Sequence, residues 1–148
     1  MTRRVFFSFH YQKDIWRVNQ IRNLPEIMGT AAAGFYDASL WEKAKKEGDF
    51  AIKRMIDNAL VGTSVTVVCL GNQTANRKYV NYEILKSLEV GNGLVGVQIH
   101  HLQDQYGHVD FSGPIPQRIT LSRFKVYQYI NRTLLAAWIE EAARIAGR

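Results

Sequence analysis

A single cysteine, three prolines and no apolar run of membrane-spanning length narrow the possibilities for this chain before any motif is read. One cysteine excludes an intrachain disulfide framework. Cys69, inside the run Val65-Thr66-Val67-Val68-Cys69-Leu70, is expected to be a small buried hydrophobe rather than a reactive thiol. Cysteine pairs and clustered histidines with metal-ligand spacing are missing. His100 and His101, adjacent in an extended segment, should point to opposite sides, so no metal site is expected. There is no GxxxxGK[ST] phosphate loop and no GxGxxG after the first strand. The acidic cluster that a two-component receiver carries after its first strand is absent as well, since that position reads Phe9-His10-Tyr11. Met1-Thr2-Arg3-Arg4 leads directly into a strand-like segment too short for a signal peptide's apolar region, which points to a cytoplasmic protein with no membrane partner.

What is present is ordinary globular composition: 148 residues, 47% hydrophobic and 22% charged, enough for one domain over residues 1–148 with its own core. The net charge of +6 calls for an anionic partner. Yet the charges are scattered, with Lys43, Lys45 and Lys46 interleaved with Glu42 and Glu47, and there is no basic arm or aromatic-interleaved stripe. That pattern disfavours nucleic acid and serves a phosphate-bearing small molecule equally well.

Strand signals alternate with helix signals. Val5-Phe6-Phe7-Ser8-Phe9 is short, apolar and β-prone, as a strand covered on both faces should be. Asp14 is a candidate cap for a helix with Ile15, Val18 and Ile21 on one side, and Pro25 lies beyond it. Ala32-Ala33-Gly34-Phe35-Tyr36 is a weaker strand candidate leading into Asp37. Asp49 is a candidate cap for a helix whose Ile52, Met55, Ile56, Ala59 and Leu60 fall on one stripe before Gly62. Ser64 to Leu70 is the clearest buried strand, followed by the turn Gly71-Asn72-Gln73-Thr74. Val80, Ile84, Leu85 and Leu88 mark the core face of the next helix, closed by Gly91-Asn92-Gly93, and Leu94 to Ile99 is another strand. Residues 101–122 read as a long irregular loop, Lys125 to Tyr129 as a last short strand, and Asn131 as the cap of a helix with Leu134, Leu135, Trp138, Ile139 and Ala142 on its stripe.

This alternation predicts an α/β domain: a doubly wound, flavodoxin-like, mostly parallel sheet with helices on both faces. Ligands of such sheets bind beyond the carboxyl ends of the strands, where strand order reverses. The loops at His10-Tyr11, Asp37-Ala38-Ser39 and Gly71 to Thr74 are expected to lie side by side there. Glu83, on the flank of the apolar face of the third helix, shares its side with Tyr79 one turn earlier and can look into that cleft. A solvated glutamate paired with Lys86 or Arg77 is the other reading of that position.

Three segments carry a resemblance. Arg4-Val5-Phe6-Phe7-Ser8-Phe9-His10-Tyr11-Gln12, Asp37-Ala38-Ser39-Leu40-Trp41-Glu42 and Tyr82-Glu83-Ile84-Leu85-Lys86-Ser87 resemble the TIR-like ThsB proteins of the bacterial Thoeris antiphage system, over roughly the first hundred residues and in register with the expected strands. The resemblance implies NAD+ as substrate rather than a bound cofactor, and cleavage of its nicotinamide–ribose bond. It further implies a cyclic or modified ADP-ribose signal that activates a downstream effector protein. The family's glutamate falls on Glu83. Where the family commonly has tryptophan four residues earlier, this chain has Tyr79, an aromatic wall of smaller area. A phage-derived trigger and self-association into a homo-oligomer are further expectations of the same kind.

One carboxylate suffices for that chemistry. Nicotinamide leaves the cationic pyridinium as a neutral molecule, so no general acid is required, and Glu83 would stabilise or trap the oxocarbenium-like ribose, provided it is ionised at neutral pH. Phe9 and His10, ending the first strand, are candidates to stack on or hydrogen-bond the nicotinamide or ribose, or else are a core ring and a loop histidine. Asp37, Ser39 and Trp41 are candidates for hydroxyl and stacking contacts, or else turn and cap residues. Gly71 and Asn72 could approach a phosphate through backbone N–H groups. Trp16 and Trp138 read as packing. A non-catalytic TIR-type assembly module is the alternative function, and it shares the fold.

Overall fold

The computed structural model describes residues 2–32 and 39–148, with Ser39 and Leu40 described by backbone alone. Among these residues β1 (Arg3–Ser8), β2 (Ile27–Thr30), β3 (Val65–Leu70), β4 (Gly93–Gln98) and β5 (Val126–Gln128) pair in the order β2-β1-β3-β4-β5. Every pairing is parallel. This is the flavodoxin-like order, and strand order reverses at β1 and β3. Parallel strands require crossovers, supplied here by α1 (Tyr11–Ile21), α2 (Ser39–Glu47), α3 (Asp49–Leu60), α4 (Lys78–Glu89) and the one-turn α5 (Gln117–Thr120), with α6 (Arg132–Ala146) closing the chain.

Both faces of the sheet are covered, so the central strands are mostly apolar; every residue of β3 is buried. On one face Val5, Phe7 and Phe9 of the β1 segment pack with Val18 and Ile21 of α1 and Leu135, Trp138 and Ile139 of α6. On the other, Phe6 meets Ile52, Ile56 and Leu60 of α3, while Val68 and Leu70 meet Val80 and Ile84 of α4. The α6 backbone sits so close to β4 that a Cβ on Gly93 would lie 2.5 Å from the Ala142 carbonyl oxygen. Trp138 stacks on Tyr127, with ring centroids 4.4 Å apart. Asn131 caps α6 by accepting a 2.9 Å hydrogen bond from the Leu134 amide. Cys69 is fully buried, which pushes its thiol pKa up and leaves it inert.

Several elements depart from the sequence reading. The second strand is Ile27–Thr30, not Ala32–Tyr36: Ala32 lies in a turn and residues 33–36 fall outside the described residues. As an edge strand paired only with β1, and with Met28 largely exposed, it lacks the continuous apolar signal of its neighbours. Ser39, read as the end of the loop Asp37-Ala38-Ser39, opens α2, a helix over Ser39–Glu47 that the sequence reading did not assign. Asp14 does not cap α1; His10 holds that place, and the Asp14 amide donates to the His10 carbonyl at 2.8 Å. Asp14 is instead fully buried in the first turn, with Arg17 donating to it at 3.0 Å. Similarly, Gly48, at φ 105°, precedes α3 and Asp49 is its first residue. His100 and His101 lie in a turn, so their rings do not diverge but meet edge to face at 5.3 Å. Within residues 101–122, α5 interrupts the irregular path.

Candidate active site

The site is built on the pleat of β1. Side chains alternate across the sheet, so Phe7 and Phe9 face α1 and α6 while Phe6 and Ser8 face α3 and α4. Ser8 is the small polar residue that follows the apolar run Val5-Phe6-Phe7 of β1, and its size leaves room for a side chain from the helix above. Glu83, in the middle of α4, fills it: the Ser8 hydroxyl lies 2.6 Å from Glu83 Oε1 and donates to it when the carboxyl is ionised. One turn on, Ser87 donates to the Glu83 carbonyl at 2.7 Å and its hydroxyl lies 2.7 Å from that of Thr66 on β3. Two polar contacts one turn apart therefore fix the rotation of α4 on the sheet.

The sequence left two readings of Glu83, a carboxylate on the flank of the apolar face looking into the cleft and a solvated helix glutamate, and burial excludes the second. Glu83 is 5% exposed, and burial pushes its pKa up to about 8, against the lowering effect of the Ser8 hydrogen bond. Lys86, considered as its partner, pairs instead with Glu89 at 3.2 Å.

A cavity of about 310 Å³ opens at the carboxyl end of β1, with Glu83 among its lining residues. Phe9, His10, Trp41 and Tyr79, all singled out in the sequence, line it as well. Trp41 meets Tyr79 edge to face at 5.9 Å, and Phe9 stacks with Tyr11 at 6.0 Å, so aromatic rings stand on two sides. The Tyr79 hydroxyl donates to Asp49 at 2.8 Å, which Lys78 also contacts at 2.8 Å and Lys53 at 3.1 Å. These partners, Lys78 foremost, hold the Asp49 carboxyl well below the usual range. The pKa of His10 is lowered, by burial first and then by the nearby cations Arg77 and Lys13.

Two other candidates, Gly71 and Asn72, are not brought to the cavity and are not among its lining residues. The Gly71 amide already donates to Thr74 Oγ1 at 2.7 Å, and a Cβ on Gly71 would lie 2.2 Å from Asp14 Oδ2, so this turn is closed against α1. Asn72 donates to the Phe111 carbonyl at 3.0 Å and pins the loop after β4. The Gly71 backbone amide is therefore not free for a phosphate. Asp37 lies outside the described residues, and Ser39 opens α2 with its side chain undescribed. Conversely, the sequence reading missed Ser8 and gave no site role to Lys45 and Arg77, which line the cavity. Among the described residues no group of three or more His, Cys, Asp or Glu side chains could hold a metal ion, and no helix is long and apolar enough to cross a membrane.

Residues 6–104, which include Ser8, Glu83 and all the cavity residues, match the family model described as "Thoeris protein ThsB, TIR-like domain". A relative from Bacillus cereus (strain MSX-D12), described as "Putative cyclic ADP-D-ribose synthase ThsB1", is 52% identical over 118 residues, covering 78% of this chain and 62% of the relative. The chain thus spans somewhat under two thirds of that relative's length. Fold, match and identity agree: the chain belongs to the ThsB family of TIR-like Thoeris proteins.

Proposed function

We propose that this protein binds NAD+ in the cavity at the end of β1 and cleaves the bond between nicotinamide and ribose, releasing an ADP-ribose-type signal. The observation that carries the reading is the buried Glu83 carboxyl lining a cavity walled by Trp41, Tyr79 and Phe9. The cavity volume, at the small end of ligand pockets, suits the nicotinamide-ribose half of the dinucleotide. The name of the Bacillus cereus relative supports the same substrate and a cyclic product.

The mechanism follows from charge. The C1′–N bond breaks with its electron pair going to the pyridinium nitrogen, so nicotinamide leaves neutral and positive charge moves to the ribose. Glu83, ionised, faces that charge in a site of low dielectric, where one carboxylate counts for more than in water. Before substrate binds, the raised pKa of Glu83 keeps it largely protonated at pH 7. An incoming pyridinium cation favours the ionised form, so substrate binding itself brings the carboxylate to its working state. The ribose cation is then captured by water, giving ADP-ribose and a proton, or by a nucleophilic atom of the same molecule, giving a cyclic product and a proton.

Within this reading the product diffuses in the cytoplasm to an effector protein, a phage-derived trigger turns synthesis on, and self-association is the expected assembly state. A non-catalytic assembly module would have no use for a buried carboxyl beside an open cavity, which is why the enzyme is preferred. Mass spectrometry of nucleotides from infected cells tests the reading: the expected product has the mass of ADP-ribose or of ADP-ribose less one water. Nucleotide pools that do not depend on the protein would contradict it.

A further inference from the structure

On the NAD+ reading, a cavity of about 310 Å³ takes the nicotinamide-ribose half of the dinucleotide, and the remainder runs over its rim. Buried and exposed residues divide accordingly. Glu83 and His10 are buried at the floor, whereas Lys45, Arg77 and Lys78 are exposed at the mouth and are the charged residues of the lining besides Glu83. These three cations are not equivalent. Lys78 is held by Asp49 at 2.8 Å. Among the described residues Lys45 has only the loose, exposed Glu42 at 3.7 Å, a pair of little strength. Among the described residues no carboxylate and no hydrogen-bond acceptor engages the Arg77 guanidinium, which nevertheless reaches the site closely enough to lower the pKa of His10.

Position agrees with charge. Arg77 stands at the start of α4, six residues before Glu83, which is about 9 Å along a helix axis. Both residues line the one cavity, Arg77 exposed where α4 begins and Glu83 buried further along the helix. The first turn of α4 carries no acidic residue to oppose an anion there. Guanidinium forks match phosphate oxygens pairwise, and a lysine supplies a mobile second charge.

We propose that Arg77, with Lys45, forms the diphosphate-binding rim of the site and selects nucleotides that carry a diphosphate over those that do not. This deepens the proposed function and rests on its NAD+ reading. It also relocates the phosphate contact from the Gly71-Asn72 turn, whose amide is already occupied, to side chains on α2 and at the head of α4.

The test is equilibrium binding, which needs no trigger. Calorimetric titrations with ADP-ribose, which carries the diphosphate, and with nicotinamide riboside, which has no phosphate, are compared for wild type, Arg77→Ala, Lys45→Ala and the double variant. Arg123→Ala serves as a control cation away from the cavity. Arg77→Ala is expected to weaken ADP-ribose binding about ten- to a hundredfold, as loss of a charge-assisted contact does, with Lys45→Ala weaker and the double variant strongest. The difference should shrink at high salt, and nicotinamide riboside should bind all variants alike. Unchanged ADP-ribose affinity, or equal loss of both ligands, would overturn the rim assignment while leaving the site standing. Failure of the wild type to bind either ligand would overturn the dinucleotide reading, and the rim with it.

Discussion

The hydroxyl of Ser8, on β1, lies 2.6 Å from Oε1 of Glu83, on α4, and both side chains are buried. The contact opposes the upward push that burial exerts on the Glu83 carboxyl, which stands at about 8. If ionised Glu83 is the working form, kcat/KM for NAD+ rises with pH along a limb near that value, and the limb for kcat lies lower because bound pyridinium favours the carboxylate. Ser8→Ala removes the opposing bond and should move the kcat/KM limb upward by about one unit. An unmoved limb in a folded variant would show that Ser8 only fills space.

The same shift has a thermodynamic counterpart. Because the folded state holds the Glu83 proton and the unfolded chain releases it near 4.5, stability falls as pH rises from about 4.5 to 8 and then levels off. The full difference is at most about 5 kcal/mol, from 1.36 kcal/mol per unit. Glu83→Gln cannot release a proton, so its stability relative to wild type should grow from pH 5 to pH 8. Urea unfolding at these two pH values checks this; a constant difference would mean that the carboxyl is not buried in solution.

Tyr79 separates wall from tether. Tyr79→Phe keeps the ring facing Trp41 and loses the bond to Asp49, so it should leave the KM for NAD+ within about twofold. Tyr79→Ala removes the ring and should raise KM roughly two- to tenfold, the range of one aromatic contact. Equal effects of the two substitutions would assign the role to the hydroxyl instead.

Arg17 holds the loop after β4 in place. It is 1% exposed, binds Asp14, and donates to the carbonyls of Leu102 at 2.8 Å and His108 at 3.1 Å, with Asp110 at 3.4 Å. Arg17→Met leaves Asp14 buried without its partner and should cost about 3–5 kcal/mol by chemical denaturation. Asp14→Asn/Arg17→Met should recover part of that loss. Hydrogen exchange across residues 100–112 should rise in the single variant, and protection equal to wild type would show that the loop is held by other contacts.

The sequence revealed most where burial is uniform. β3 is apolar at every position except Thr66 because both its faces are covered, and the stripes of α3 and α6 stand out for the same reason. It misled where an element breaks the apolar rule. β2 is an edge strand with an exposed methionine, and half the buried stripe of α1 is the ion pair of Asp14 and Arg17. Phe9, His10, Trp41, Tyr79 and Glu83 were legible as a set because they end strands or flank helices at one end of the sheet. Ser8 was not, since a serine in a strand gives no sign of the helix residue it faces. Arg77 was hidden among scattered charges until the cavity rim set it apart from cations already paired.

The central claim is tested most directly by measuring nicotinamide released from NAD+ in cells before and after phage challenge, for wild type and Glu83→Gln, which keeps the shape of the side chain and removes its charge. The account predicts release by the wild type after challenge and loss of at least about a thousandfold of that activity in the variant. Equal release by both proteins, or protection from phage by both without any release, would contradict it.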